Sequence, residues 1–249
     1  MEPIRSPRNP AVVEAGRLHR SRERQATGLT LVEGPHALEE ALAAAVEVQR
    51  TFVLPDDPRR HDWPNAVVVD DAIMRKLAAT ETPRGPVAVV AIPEWVEPAP
   101  DRDLLVLMGV ADPGNVGTII RSAAAFGLGV VVGPGTADPW SPKVVRAGAG
   151  AHFRLGGLSR ITDVEELTAH RLAATVVRGG IHPAALGPGP WAFLIGSEAH
   201  GLDPAIVGAA DQQVTIPMRG NTESLNAAVA ASILAYIAAI GSEPRSAAH

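Results

Sequence analysis

The chain has 249 residues, 46% hydrophobic and 20% charged, with a formal net charge of -5, which fits one large or two smaller globular domains and argues against a polycation that coats nucleic acid. It has no cysteine, which excludes disulfides, thiolate chemistry and Cys-based zinc sites. No apolar run reaches the length of a membrane span and the N-terminus lacks the apolar core of a signal peptide, so a cytoplasmic protein without a membrane partner is expected.

Residues 11–24 read as a helix with Val12, Ala15 and Leu18 on one side and arginines on the other. Arg5, Arg8, Arg17, Arg20, Arg22 and Arg24 face only Glu14 and Glu23 in this stretch. Such a run is either a solvated face or a phosphate-binding surface, for which the bidentate fork of arginine is suited. A strand at 27–33 ends at Gly34-Pro35, a helix at 36–46 follows, and strands at 48–54 and 66–69 come next. Asp70 or Asp71 caps a helix running to Ala79, and residues 85–92 form a fourth strand. Alternating strands and helices predict an α/β unit with a mostly parallel sheet. Pro93, Pro98 and Pro100 mark a linker near 93–102, dividing an N-terminal domain, 1–97, from a second domain, 103–249.

The second half restarts with an apolar run at 104–110, typical of a buried parallel strand. A loop at 111–117, a helix at 118–126 closed by Gly127, a strand at 128–133 and a small-residue helix at 141–150 follow. Further strands are expected at 172–177, 191–196 and 213–216. The last leads through a polar loop into an alanine-rich helix, with Asn221, Thr222 and Ser224 as candidate caps and Asn226 as a polar residue in its first turn. Three loops, 111–117, 196–202 and 217–224, thus stand at carboxyl ends of strands, where open α/β sheets bind ligands. None carries a Walker-type or Gly-x-Gly-x-x-Gly phosphate loop, and the eight histidines show no metal-binding spacing.

Three stretches carry a resemblance: Asp112-Pro-Gly-Asn-Val-Gly with Arg121-Ser-Ala, Ile195-Gly-Ser-Glu-Ala-His-Gly-Leu202, and Ile216-Pro-Met followed by Glu223-Ser-Leu-Asn226. In order and spacing they resemble the signature motifs of the SpoU/TrmH-type RNA methyltransferases, over about residues 103–240. The N-terminal half, with Val32-Glu-Gly-Pro-His, resembles the L30e-like substrate-binding domain often fused ahead of that catalytic domain. The resemblance implies a parallel sheet with helices on both faces, a deep C-terminal trefoil knot and a homodimer packed through the knot region. It implies methyl transfer from S-adenosylmethionine to a ribose 2′-hydroxyl, leaving S-adenosylhomocysteine, with no metal required and ribosomal RNA favoured over tRNA as substrate.

Carried over by position, the resemblance assigns catalytic roles to Asn115, Arg121, Glu198, Ser224 and Asn226. It assigns the cofactor pocket to Gly196, Ile216, Met218 and Leu225, with Thr175 and Leu194 lining its walls. Arg8, Arg17, Arg20, Arg22 and Arg24 are the expected RNA contacts. The chain departs from the motifs at Ala199, where glycine is usual, and at Gly148, where serine is common. Competing readings are a non-catalytic RNA-binding member of the fold, a base-nitrogen or tRNA methyltransferase, and a small-molecule α/β enzyme. The last leaves the basic stretch 5–24 unexplained.

Overall fold

The computed structural model describes residues 3–80, 82–83, 85–220 and 223–242. The first elements are α1 (Pro10–Arg17), α2 (Ser21–Thr27), β1 (Leu29–Glu33), α3 (Pro35–Ala43), β2 (Val48–Val53), β3 (Ala66–Val68), α4 (Asp71–Leu77) and β4 (Val87–Ala91). Then come β5 (Leu104–Leu107), α5 (Pro113–Phe126), β6 (Gly129–Val132), α6 (Pro142–Ala147) and β7 (Ser159–Arg160). The chain continues with β8 (Arg171–Thr175), β9 (Trp191–Ile195), α7 (Pro204–Ala209), β10 (Gln212–Val214) and α8 (Ala227–Ser242). Two compact units result: Met1–Glu94 with Asp138–Gly156, and Trp95–Ala137 with Gly157–His249.

In the first unit the single helix expected over 11–24 is two. Arg20 has extended backbone (φ -94, ψ 131) between α1 and α2, and the carbonyl of Leu18 accepts a hydrogen bond from Arg24 Nη1 at 2.7 Å. Val12, Ala15 and Leu18 enter a core with Leu31, Phe52, Ile73, Met74 and Leu77, so the apolar spacing is satisfied while the backbone bends. The sheet order is β1-β4-β2-β3. β4 runs antiparallel to both β1 and β2, and only β2–β3 is parallel. The expectation of a mostly parallel sheet in this half is therefore corrected: β4 returns between β1 and β2 instead of adding to an edge.

The segment Asp138–Gly156 is built into this first unit. Arg24 is 3% exposed and its guanidinium is paired with the Asp138 carboxylate. Thr30 donates to the Trp140 carbonyl at 2.6 Å. Gly150 has φ +77, and a Cβ there would lie 2.7 Å from the Cα of Ala37, so α3 approaches the segment at a distance only glycine permits. The ring of Trp140 packs against His152 at 5.2 Å and Phe153 at 5.8 Å.

His152 is buried, and Nε2 meets the Pro139 carbonyl at 2.9 Å, so the neutral ring carries its proton there. Nδ1 has no partner among the described residues. Burial pushes the ring's pKa down to about 4, only partly offset by the bond to Pro139. The folded value lies below the unfolded one, so below about pH 6.5 the unfolded chain takes up a proton that the folded chain refuses. Stability is expected to fall from about pH 6.5 to about pH 4, by up to about 3 kcal/mol from this group. Urea midpoints between pH 7.5 and 4.5 check this: H152F should flatten the decline, and an equally steep decline in H152F would assign it to other groups.

The second unit holds a six-stranded sheet of order β10-β8-β9-β5-β6-β7, with every pairing parallel. The four side chains of β5 are at most 1% exposed, as a central parallel strand demands. Helices flank the sheet: α5 lies against β5, β6 and α8, and α8 also meets β9. Ala228, Ala231 and Ala235 are buried on α8, and Ser122 and Ser232 hydroxyls meet at 2.7 Å between α5 and α8, so small side chains bring the two helices together. Among the described residues no helix is long and apolar enough to cross a membrane.

Candidate active site

Parallel pairing puts the carboxyl ends of β5, β8, β9 and β10 on one edge of the second unit, and the polar motifs follow those ends. Asp112 caps α5, accepting from the Asn115 amide at 2.8 Å, with Pro113 as the first helical residue. The helix therefore starts at Pro113, five residues before the expected start at 118, and Asn115 sits in its first turn. Proline's fixed φ and the aspartate cap outweigh Gly114 and Gly117, which suggested a loop.

After β9 the chain makes a closed turn. Ser197 N–H donates to the Gly201 carbonyl at 3.0 Å, and Gly201 N–H returns to the Ser197 carbonyl at 2.9 Å. The left-handed position is Gly201 at φ +69. Ala199 is not among the described non-glycine residues with positive φ, so alanine is tolerated there without strain. The turn presents Glu198, which accepts from Asn115 Nδ2 at 2.7 Å and from the amides of Ala111 and Asp112 at 3.3 and 3.4 Å. Partial burial pushes its carboxyl up, but the bonds from Asn115 and from the amides of Glu198, Ala111 and Asp112 outweigh that and hold it below the usual carboxylate range. It is therefore ionised at neutral pH and a weak base.

Asn226 closes the constellation. Its Nδ2 donates to Asn115 Oδ1 at 2.9 Å, and its Oδ1 accepts from the amides of Ala228 and Val229 at 2.9 and 3.2 Å. It is thus the cap of α8, not a residue inside the helix; of the expected caps, Asn221 and Thr222 lie outside the described residues and Ser224 lines the cavity instead. The network fixes both amide orientations. Asn226 Oδ1 accepts two bonds and Asn115 Oδ1 one, and each amide nitrogen donates one of its two N–H groups, so each side chain keeps one N–H to donate. The chain Glu198–Asn115–Asn226 can stabilise an electron-rich oxygen but offers no neutral base.

Beside this chain lies a cavity of about 380 Å³, lined by Thr175, Gly196, Glu198, Ile216, Met218, Ser224 and Leu225 among others. That is within the roughly 300–1,000 Å³ usual for small-ligand sites. Of the expected cofactor residues, Leu194 alone does not line it: it is fully buried in the core and lends its carbonyl to Thr175 Oγ1 at 2.6 Å. Among the described residues the main-chain groups of Ile216, Met218 and Leu225 make no hydrogen bond. Apolar walls with free N–H and C=O groups are a donor set that fits a flat nucleoside base edge. Gly196 passes the turn so closely that a Cβ would lie 2.2 Å from the carbonyl carbon of Gly201.

Arg121 stands apart. It is exposed on α5, does not line the cavity and has no side-chain partner among the described residues. Six residues beyond Asn115, it is about 9 Å along the helix axis and on another face. Of the basic stretch, Arg8, Arg17, Arg20 and Arg22 are exposed. Arg24 is corrected to a structural group, buried against Asp138 and Leu18; its partner is 114 residues away. Sequence reasoning missed His200 and the turn after β8, both in the cavity lining with Val176 and Val177. Gly179-Gly180 signalled that turn: a Cβ on Gly180 would lie 2.7 Å from the Gln213 carbonyl oxygen.

Two substitutions at Asn226 separate its cap from its donor. N226A removes both and is expected to lower stability by about 1 kcal/mol and to weaken any chemistry at the site at least tenfold. N226D keeps the capping oxygen and loses the N–H to Asn115, so it should melt near the wild type yet share the activity loss. A fully active N226D would mean that this N–H is not used.

The fold and the loops at one sheet edge define a class that comparison identifies. A profile described as the SpoU rRNA Methylase family matches residues 103–236, and one described as an MRM3-like substrate binding domain matches residues 9–88. The chain belongs to the SpoU rRNA methylase family. It is 34% identical over 245 residues to the 23S rRNA (guanosine(2553)-2′-O)-methyltransferase RlmP of Bacillus subtilis, covering 95% of this chain and 98% of that one. Its structure is similar to that of an RNA 2′-O ribose methyltransferase, with TM-score 0.83, 32% identity and coverage of 96% of this chain and 99% of the other. It is also similar to the SpoU methyltransferase AviRb from Streptomyces viridochromogenes in complex with the cofactor AdoMet, with TM-score 0.83, 26% identity and coverage of 94% and 98%.

Proposed function

We propose that the protein methylates a ribose 2′-hydroxyl of ribosomal RNA with S-adenosylmethionine as donor. The observation that carries this is the Glu198–Asn115–Asn226 chain set beside a nucleoside-sized cavity made by the loops after β8, β9 and β10. The named activity of the Bacillus relative and the AdoMet complex of AviRb support it.

S-adenosylmethionine, when bound, would supply an electrophilic methyl carbon on a cationic sulfur, with a neutral thioether as the leaving group. Ile216, Met218 and Leu225 would hold its adenosine part through their main-chain groups, and Gly196 and Thr175 would shape the wall. Asn115 and Asn226 aim their remaining N–H groups at the ribose oxygen as charge develops there, and Ser224 helps to hold the reactants in line. Arg121 pairs with the phosphate beside the target ribose and lowers the pKa of the hydroxyl. A guanidinium stays protonated and is a poor base, so the proton leaves to solvent or phosphate.

Residues 1–97 serve as the RNA-binding part, with Arg8, Arg17, Arg20 and Arg22 as phosphate contacts, and residues 103–249 as the catalytic part, with the C-terminal segment threaded as the knot of the family. The protein works as a homodimer, in which α8 covers its exposed Val229, Tyr236 and Ile240. Calorimetry with S-adenosylmethionine, followed by transfer of labelled methyl to unmethylated ribosomal RNA, tests the reading. Saturable binding and incorporation are expected; RNA binding without cofactor binding would make the protein an adaptor.

A further inference from the structure

The segment Asp138–Gly156 lies within the part of the chain that matches the methylase profile, yet it packs in the first unit. Its attachments run from α2 onto β1. At one end Asp138 holds Arg24 and accepts from the Ser21 hydroxyl at 3.2 Å. In the middle the Trp140 carbonyl meets Thr30. At the far end Arg146 Nε lies 3.9 Å from Glu33 Oε1. Thr30 and Glu33 are three residues apart on β1, roughly 10 Å at about 3.3 Å per residue, which matches the roughly 9 Å length of the six-residue α6.

Cations outnumber carboxylates on this strip, where Glu23, Glu33 and Asp138 stand among Arg20, Arg22, Arg24, Lys143 and Arg146. Arg20 and Arg22 flank Ser21, the residue whose hydroxyl touches Asp138, and both are exposed. Asp138 is the segment's one acidic residue, and Arg24 neutralises it. Lys143 is exposed, with no partner among the described residues. Arg146 is exposed and its contact to Glu33 is long. A protein of net charge -5 thus joins cations from two distant stretches of sequence through a buried ion pair, with Arg146 held only by its long contact to Glu33. Cations held on a rigid frame along a strip suit a chain of phosphates, which binds by counterion release.

We propose that α6 is a second RNA-contacting strip of the first unit, and that Lys143 and Arg146 extend the surface of Arg20 and Arg22 onto phosphates of the same RNA. This rests on the reading of the protein as an RNA methyltransferase and adds the surface on which its substrate lies. Affinity for unmethylated 23S rRNA transcript, measured against KCl concentration, tests it. Each lost phosphate contact lowers the slope of log K against log salt by about 0.7–0.9, so the K143A/R146A double variant should lose roughly 1.5 from the slope, and R22A about half as much.

Affinity of the double variant at 150 mM KCl should fall at least tenfold, while its S-adenosylmethionine affinity stays at the wild-type value and R60A, on a separate loop, keeps the wild-type slope. A double variant with the wild-type slope, alongside a lowered slope for R22A, would overturn the proposal and leave α6 as a solvated face or a protein contact. A wild type that binds RNA with the expected slope but transfers no methyl group would sink the enzymatic reading alone, since the slopes do not depend on turnover.

Discussion

Replacing Arg121 with alanine is expected to cut methyl transfer by about 10²–10³-fold, the usual loss for removing one charge-stabilising group, while S-adenosylmethionine affinity stays within about twofold. The separation follows from position. Arg121 does not line the cavity and takes no part in the Glu198–Asn115–Asn226 chain. Its exposed guanidinium is free, among the described residues, to meet RNA. The variant should also fold normally, because an exposed side chain without partners contributes little to stability. R121K sharpens the test. If a bidentate grip on phosphate matters, lysine should recover only a small part of the rate; a largely active R121K would show that charge alone suffices. Single-turnover transfer to ribosomal RNA, alongside calorimetry with the cofactor, reads both quantities.

Gly196→Ala should act in the opposite way, by removing the cofactor site. A methyl group there would lie 2.2 Å from the Gly201 carbonyl carbon and 2.4 Å from the Leu202 nitrogen, both backbone atoms. The turn 197–201, which carries Glu198 toward Asn115, must shift to make room. S-adenosylmethionine affinity is expected to fall at least 100-fold, with stability lowered by about 1–3 kcal/mol as for other overpacked sites. Gly208→Ala is the control: nothing lies within 4 Å of its added methyl, and it sits in α7, where alanine favours the helix by up to about 1 kcal/mol. Binding isotherms and thermal melts decide the matter, and wild-type affinity in Gly196→Ala would show that the turn is not part of the cofactor wall.

The polar chemistry was legible in the sequence because it lies in short motifs whose spacing survives folding. Asn115, Glu198 and Asn226 were singled out from three separate stretches, and they form one hydrogen-bonded chain. Five expected wall residues, Thr175, Gly196, Ile216, Met218 and Leu225, line one cavity. What was not legible depended on partners far away in sequence. Arg24 reads like its neighbouring arginines until Asp138 is folded against it. The break between α1 and α2 follows Gly16 in the last turn of α1, a weak signal on its own, and is secured by the Arg24 bond to Leu18. Strand direction in the first unit was missed because the alternation of elements does not reveal which edge a strand joins. At the start of α8, four residues of capping type crowd together, and only the bonds to Ala228 and Val229 single out Asn226.

The most direct test of the central claim is the location of the transferred methyl group. Ribosomal RNA made without modification is incubated with the protein and methyl-labelled S-adenosylmethionine, then hydrolysed in alkali. A 2′-O-methyl group blocks cleavage at its own nucleotide, so the label should appear in an alkali-resistant dinucleotide and, after enzymatic digestion, in a single 2′-O-methylnucleoside. Label recovered in a mononucleotide with a methylated base, or no label in RNA despite cofactor binding, would contradict the account.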